Sequence, residues 1–518
     1  MAHLSQRKRR RYLDGLVPGA DVDHRGTNFS EGLLSELLVA LKDSTTGRYR
    51  FGHADFSMAR FDDGVAVFEP SDFGEASFYD ARFGAPAWFG GVKFGGRVTF
   101  SRAKFGSIAV FGGAEFGGEC NFAGAEFGAD VVFSGAKFGE GAARLGPFVC
   151  AGIVDLSHAV FQHAVTIEAA AATVRCQRTR WDSTAALRLR HAVVDLSDAV
   201  LEHPVSISAR SRPFVTFDGE LAELGLPDCR VRAESLRGVD ATHLVLTDID
   251  LTECRFAGTV HLDQLRLEGR ATFARPPRGW SHRGPVPLHW SRRRTLADEH
   301  HWRAAISGRP VPGQQPSKRE WEPGPHHPDL NLTPGPQAVA ALYRQLRKAL
   351  EDSKNEPGAA DFYYGECEMR RHDDTGTPWA ERALLWLYWT VSGYGLRAFR
   401  ALAWLAVAMG ITVLVMMLWG IPADDPKPTT TGRQVRVGQE LTLVTDTPHP
   451  ANPTGALTSR LTTDRFEKAL RTVVNSVVFR SSGQDLTTAG TYTEMATRFI
   501  EPVLLGLAVL AIRNRVKR

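Results

Sequence analysis

Between residues 78 and 138 the chain sets one large apolar residue at a fixed beat, with little of size in between. Phenylalanines stand at Phe78, Phe83, Phe89, Phe94, Phe100, Phe105, Phe111, Phe116, Phe122, Phe127, Phe133 and Phe138, so the steps alternate five and six without a miss. A helix face needs apolar residues three and four apart, and a half-buried strand needs every second one; this beat is neither. Two positions before each stands a small residue, from Ala76, Ala81 and Ala87 through Cys120 to Ala136. A flexible Gly-rich linker would not keep such a beat over 60 residues. A fixed apolar period predicts a solenoid.

The unit of a small residue, a polar residue, Phe and two further small or polar residues resembles the pentapeptide-repeat family. That resemblance implies a right-handed quadrilateral β-helix, four units to a square turn, with the small and the central apolar residues inward. Two units here take 11 residues, so a turn would take 22. Phe78, Phe100 and Phe122 would then stack on one wall, and Phe83, Phe105 and Phe127 on the next. Phe89, Phe111 and Phe133 would line the third, and Phe94, Phe116 and Phe138 the fourth, in offset aromatic stacks. The glycine after most of these phenylalanines is expected to supply the corners.

A second spelling follows. "DLSHAVFQHAVTI" (155–167) returns as "DLSDAVLEHPVSI" (195–207) and "DLTECRFAGTVHL" (250–262), each with apolar anchors stepping five then six. The copies lie 40 and 55 residues apart, so residues 170–245 are expected to hold irregular turns or loops. The solenoid is thus read over 51–273, a rod of roughly 45–50 Å at one strand spacing per turn. Before it, "SEGLLSELLVALKD" (30–43) predicts an amphipathic helix capped by Ser30, placed to cover the open first turn within a basic N-terminal segment, 1–50.

After the solenoid, residues 274–336 carry 12 prolines and are read as a linker or irregular docking segment. His300–His301 and His326–His327 in this stretch are read as incidental, not as metal ligands. "QAVAALYRQLRKALEDSKNEPGAADFYYGECEMRRH" (337–372) predicts a helical hairpin with Leu342, Leu346 and Leu350 on one face. With "WAERALLWLYWTVSGYG" (379–395), aromatic on most sides and expected along a membrane interface, it makes a region 337–395. The Tyr- and Glu-rich second helix and the later "GYGLRAFRAL" resemble membrane-anchored pentapeptide-repeat proteins of actinobacteria.

Residues 396–518 predict a two-span membrane domain. "LAWLAVAMGITVLVMMLWGI" (402–421) is uncharged and long enough to cross a bilayer, with Trp404 and Trp419 near its ends. The second span, around 493–512, carries Glu494, Arg498 and Glu501. They are spaced so that Arg498 could pair with both acids on one helix face. Between the spans "DRFEKALRTVVNSVVF" (464–479) predicts a short amphipathic helix, a layout similar to two-helix ion-channel pore domains. "RSSGQDLTTAG" (480–490) lacks the T-x-G-Y-G carbonyl ring, so a potassium filter is not expected and a degenerate, channel-like pair is. Arg397 and Arg400 before the first span and "RNRVKR" after the second place both ends and the solenoid in the cytoplasm of a cell-membrane protein.

Charge and chemistry narrow the function. The chain has a net charge of +4, and residues 51–273 hold 29 acidic and 21 basic residues. That is only mildly acidic for a rod that would mimic DNA, the alternative role that relatives acting on gyrase suggest. Six cysteines without paired spacing read as packing residues in a reducing compartment. No phosphate loop, zinc spacing, nucleophile elbow or dinucleotide fingerprint is found, so no enzyme, cofactor, metal or catalytic residue is expected. The expected partners are the bilayer, an unidentified cytoplasmic protein and further copies of the membrane helices, with nucleic acid not expected.

Overall fold

The computed structural model describes residues 4–516 apart from 142–143, 224, 227–229, 277–279, 282–287, 290–291, 308–324, 423–426, 433–442, 447–449, 455 and 480–485. The chain divides into two compact units, Met1–Met369 and Arg370–Arg518.

The first unit is built on a β-solenoid of about ten turns over residues 49–268. Short parallel strands stack turn on turn at a register of 22, as in Phe83↔Phe105↔Phe127 and Phe94↔Phe116↔Phe138. All twelve metered phenylalanines are buried, as are the small residues two positions before them. Phe78 and Phe100 stack with centroids 4.8 Å apart and planes 1° from parallel, and Phe83–Phe105, Phe89–Phe111 and Phe94–Phe116 stack at 4.7, 4.9 and 5.2 Å. These distances are one strand spacing, because identical rings on hydrogen-bonded neighbouring strands repeat at the backbone's own interval. The fourth wall runs on through Phe161 to Trp181, stacked at 4.3 Å.

The alternation of five and six residues comes from two kinds of corner. In the five-residue corners the second residue after Phe takes the left-handed conformation, by Gly91 and Gly113 but also by Asp80 and Arg102. The glycine directly after Phe is therefore not the left-handed one, contrary to the simplest reading of the repeat. At one six-residue corner the constraint is closeness: a Cβ on Gly118 would lie 2.4 Å from the Gly96 carbonyl of the turn below. No side chain fits between backbones so near.

The expectation of irregular chain over 170–245 is corrected in part: the turns are regular up to about residue 209, and the loop falls in one insertion after Val205. Turns shorten to 20 residues, with Phe161↔Trp181↔Leu201 and Val165↔Ala185↔Val205 in register. The 40-residue spacing between the first two "DLS" copies is two such turns. One turn then carries an insertion, since Val205 pairs with Leu244, 39 residues on. Leu196 is followed on its column by Leu236 and then Phe256, as the backbone bonds from Leu196 to Ser235 and from Leu236 to Arg255 require. The "DLT" copy at Leu251 therefore sits off that column. A unit-long motif fixes inward and outward, but not which wall.

Both ends are closed. Val22 and Asn28 already pair with Ala54 and Arg60, so the sheets begin before the expected boundary at 51. α1 (Gln6–Leu13) and α2 (Glu31–Ala40) follow the same edge. Ser30 caps α2 by accepting from the Leu33 N–H at 3.3 Å, and Leu33, Leu34, Leu37 and Leu38 are buried in the solenoid's core. At the far end lies α3 (Ala297–Ser307), inside the stretch read as a linker, and this corrects that reading. The buried Asp298 carboxylate accepts from the N–H groups of Phe256 and Ala257, both at 3.1 Å, satisfying the last edge of the solenoid. The hairpin α4 (Pro336–Asp352) and α5 (Glu356–His372) packs here, with Phe362 against Phe273 at 4.9 Å. Its leucines Leu342, Leu346 and Leu350 are buried.

A fully buried ion cluster joins α3 to the hairpin. Glu299 receives both oxygens' worth of Arg293 at 2.6 and 2.7 Å, Arg303 at 2.8 Å and the Tyr343 hydroxyl. Burial alone would raise the Glu299 carboxyl, but the two guanidinium groups hold it down to about 2. Proline content pointed to a linker, whereas these groups, spread over 50 residues of sequence from Arg293 to Tyr343, meet only in the folded chain.

In the second unit, α6 (Trp379–Ser392) leaves Trp379, Leu384, Trp386 and Leu387 exposed. Trp389 lies between the guanidinium groups of Arg371 and Arg400, at 4.4 and 5.0 Å. α7 (Ala398–Val415) continues as a π-helical stretch, Met416–Gly420, followed by α8 (Thr463–Phe479) and α9 (Thr488–Val516). Ala398–Gly420 and Thr488–Arg513, 23 and 26 residues, are long and apolar enough to cross a membrane. They pack antiparallel, with Gly420 against Gly490, where a Cβ on Gly490 would lie 2.4 Å from the Gly420 carbonyl.

Candidate functional site

The phenylalanine ladder builds the walls from inside and is closed to a partner; what a partner meets is the outer residue of each strand. On some columns opposite charges face each other from turn to turn, although Arg60, Arg82 and Lys104 follow one another on another. Lys93 and Lys137 flank Glu115 at 3.2 and 3.3 Å, Lys104 meets Glu126 at 2.9 Å and Arg97 meets Glu119 at 3.0 Å. Such exposed pairs add little stability, yet they neutralise the wall locally.

One wall carries a feature that the periodicity did not announce. The insertion after Val205 folds back over earlier turns as a flap. Its base is fixed by Glu223, which meets Arg190 at 2.7 Å and His191 at 2.8 Å in a largely buried cluster. Phe214 is buried against Val149 and Ala170. Arg102, whose guanidinium lies 5.7 Å over the Tyr79 ring, reaches Asp218 at 3.0 Å. Between these anchors Val215–Thr216 and Gly219–Glu220 form a small antiparallel hairpin that leaves Phe217 wholly exposed and Val215 at 66%. Beside it lies a cavity of about 620 Å³, lined by Asn121, Arg144, Pro147 and Thr216 among others. A sequence signal did exist: "RPFVTFDG" has a Pro and a Gly closing three apolar residues where the five-residue beat lapses.

A second groove, of about 540 Å³, runs between the wall and residues 327–334, with Arg178, Asp195, Arg237, Arg255 and His327 along it. Of the four histidines nearby, His300 bonds to Thr295 at 2.8 Å and the rings of His301 and His327 meet edge to face at 5.2 Å. Among the described residues, no three His, Cys, Asp or Glu side chains come together to hold a metal ion. Cys120, Cys150, Cys176, Cys254 and Cys367 are buried and form no disulfide, and burial pushes the Cys150 thiol up to about 12.

The intramembrane candidates do not form the expected chain of two acids around one arginine. Arg498 pairs with Glu494 alone, at 2.7 Å. Glu501 turns instead to α7, where its Oε1 lies 3.1 Å from the Thr412 hydroxyl, and it is 1% exposed. Positions 494, 498 and 501 share one helix face, but Glu501 is bonded to Thr412 on the neighbouring helix rather than to Arg498. Two further residues went unnoticed in the sequence. Thr412 looks like a neutral filler of an apolar run. Arg465 on α8 donates to the carbonyls of Met417, Ile421 and Pro422 at 2.7 to 3.1 Å, closing the end of the π-helical stretch. Thr487 likewise bonds to the Trp419 carbonyl at 2.6 Å, so the residues before α9 serve as a clasp between helices. The rest of the candidate filter segment, 480–485, lies outside the described residues.

The family model for pentapeptide repeats matches residues 49–93 and 89–137, in nine copies. No curated protein and no solved structure matches the chain. Because the matched copies are the very turns whose phenylalanines stack ring on ring, residues 49–137 of the solenoid are pentapeptide repeats.

Proposed function

We propose that the protein is a membrane-anchored scaffold, non-enzymatic, whose solenoid presents the flap-bearing wall to a cytoplasmic protein partner. The observation that carries this reading is Phe217, an aromatic ring held wholly in solvent on an anchored hairpin. Large exposed aromatics on a rigid support are the residues from which interfaces draw most of their energy. Closed ends leave the solenoid no way to grow by stacking on another, so its walls are the surface on offer. The mixed sign of the wall charges, basic residues among acidic ones, weighs against DNA mimicry, which needs a continuous acidic face.

The membrane hairpin supplies the anchor. Antiparallel packing puts Arg397 and Arg400 at the same end as Arg513 of α9, and the positive-inside rule favours the cytoplasm for that end and the solenoid. A channel-like role for the pair is the variant of this reading that planar-bilayer recording decides, conductance above background being its requirement.

The scaffold reading is tested with a photo-crosslinking phenylalanine analogue placed at position 217 of the full chain in its native membranes, with the same analogue at the exposed Val67 as control. A discrete adduct from position 217 and none from 67 is expected. Equal patterns from both sites would refute the flap as a docking surface.

A further inference from the structure

Glu501 is 1% exposed at the seam between α7 and α9, and its hydrogen bonds identify its ligand. The Thr412 hydroxyl lies 2.9 Å from the Ala408 carbonyl and 3.1 Å from Glu501 Oε1, while Glu501 Oε2 has no partner. A threonine hydroxyl owns one proton, and a carbonyl can only accept. An ionised Glu501 must take that proton, which leaves a buried charge held by a single hydrogen bond. A protonated Glu501 donates to the hydroxyl, the hydroxyl donates to Ala408, and no charge is buried. An unpaired buried carboxylate is far the costlier arrangement.

Among the described residues, no counter-charge offsets it. On α9 the nearest cation, Arg498, is engaged by Glu494, and the next charged residue is Arg513. Arg400 is the only charged residue of α7, twelve positions from Thr412 and about 18 Å along the helix. On α8, Arg465 is spent on backbone carbonyls and Arg471 on Glu467, with Asp464 and Lys468 the remaining charges. On α6, Glu381 is engaged by Arg370, and Arg382 is the other charged side chain. Tyr388 and Tyr492 complete the titratable groups of α6 and the start of α9.

We propose that Glu501 and Thr412 form a proton-binding site that joins α7 to α9, the carboxyl keeping its proton at neutral pH and donating it to the hydroxyl. Loss of that proton puts a charge into the seam, so proton availability sets how tightly the hairpin closes. The site rests on helix packing alone and stands apart from the partner reading above.

The test uses dicyclohexylcarbodiimide on the full chain in liposomes. This apolar reagent takes the acid's proton on a nitrogen while the carboxyl oxygen bonds its central carbon, and rearrangement to an N-acylurea leaves a stable mass tag. Peptide mass spectrometry at neutral pH should find the tag on Glu501 at least about ten-fold above Glu494, one pH unit's worth of proton occupancy. Equal or absent tagging of Glu501 would overturn the proposal. Glu501→Gln gives an independent measurement, because its amide N–H replaces the donated proton. The variant should melt with the parent, and a clear drop in its melting temperature would mean that the ionised carboxylate was the native form.

Discussion

Replacing Phe100 by alanine puts the ladder to its strictest trial. Phe100 is fully buried in the middle of its wall, stacked on Phe78 at 4.8 Å and on Phe122 at 5.1 Å, with Phe89 and Phe111 edge-on at 5.4 and 5.2 Å. Removing a ring that buries about 150 Å² costs about 4 kcal/mol at 25 cal/mol per Å². The two lost stacks add about 1 kcal/mol each, and measured Phe→Ala losses of about 3–5 kcal/mol bracket the sum from below. The gap has little means of closing, because the backbones of the turns above and below hold the flanking rings at strand spacing. About 5 kcal/mol raises local opening by between three and four factors of ten, at one factor per 1.4 kcal/mol. In a solenoid each turn touches only its neighbours, so the damage should be local. Hydrogen exchange with mass spectrometry on the full chain should show amides of residues 76–124 losing protection while α3 and α4 keep theirs. Arg97→Ala, on the outside of the same turn and 71% exposed at its side chain, serves as the control and should stay within about 0.5 kcal/mol of the parent. A Phe100→Ala variant with parent-like protection over those turns would refute the stacked ladder.

Three other outcomes follow from particular contacts. Gly365→Ala drives a Cβ to 2.5–2.7 Å from the Tyr343 ring, and chemical unfolding should show the first unit weakened by about 1–3 kcal/mol. Arg465→Met leaves the carbonyls of Met417, Ile421 and Pro422 without their donor and should cost about 2 kcal/mol, seen as faster exchange at the end of α7. His24 is lowered to about 4, first by burial, between Phe29 and Phe56 at the solenoid's closed start. The unfolded chain therefore binds more protons between about 6.5 and about 4, and stability falls by about 1.4 kcal/mol per pH unit on acidifying through that window. Urea titrations of parent and His24→Phe across it should differ in slope, and parallel lines would exclude His24 as the cause.

How far the fold was legible depended on whether a signal was local. The beat from Phe78 to Phe138 carried the square turn, because every unit repeats the same two inward residues. The second spelling carried inward and outward positions as well, yet its 20-residue turns were mistaken for irregular chain. Spacing between copies counts whole turns only when each copy falls on the same wall, and Leu251 does not. α3 stayed hidden because prolines surround it and its charges are answered by Tyr343 and Glu368, far along the chain.

The same division holds for the candidate sites. The two apolar runs and their basic flanks were plain in composition, since crossing a membrane is a matter of length and side-chain type. Glu494, Arg498 and Glu501 could be named as polar residues in such a run, but their pairing could not, because only the packed neighbour supplies Thr412. Phe217 was one more phenylalanine until the flap left it in solvent. By itself, then, the sequence determined the repeating cross-section and the apolar helices, both written by short-range periodicity. Tertiary structure alone decided which charges are buried together, which ring is exposed and which helix face Glu501 meets, because those depend on residues brought close in space and distant along the chain.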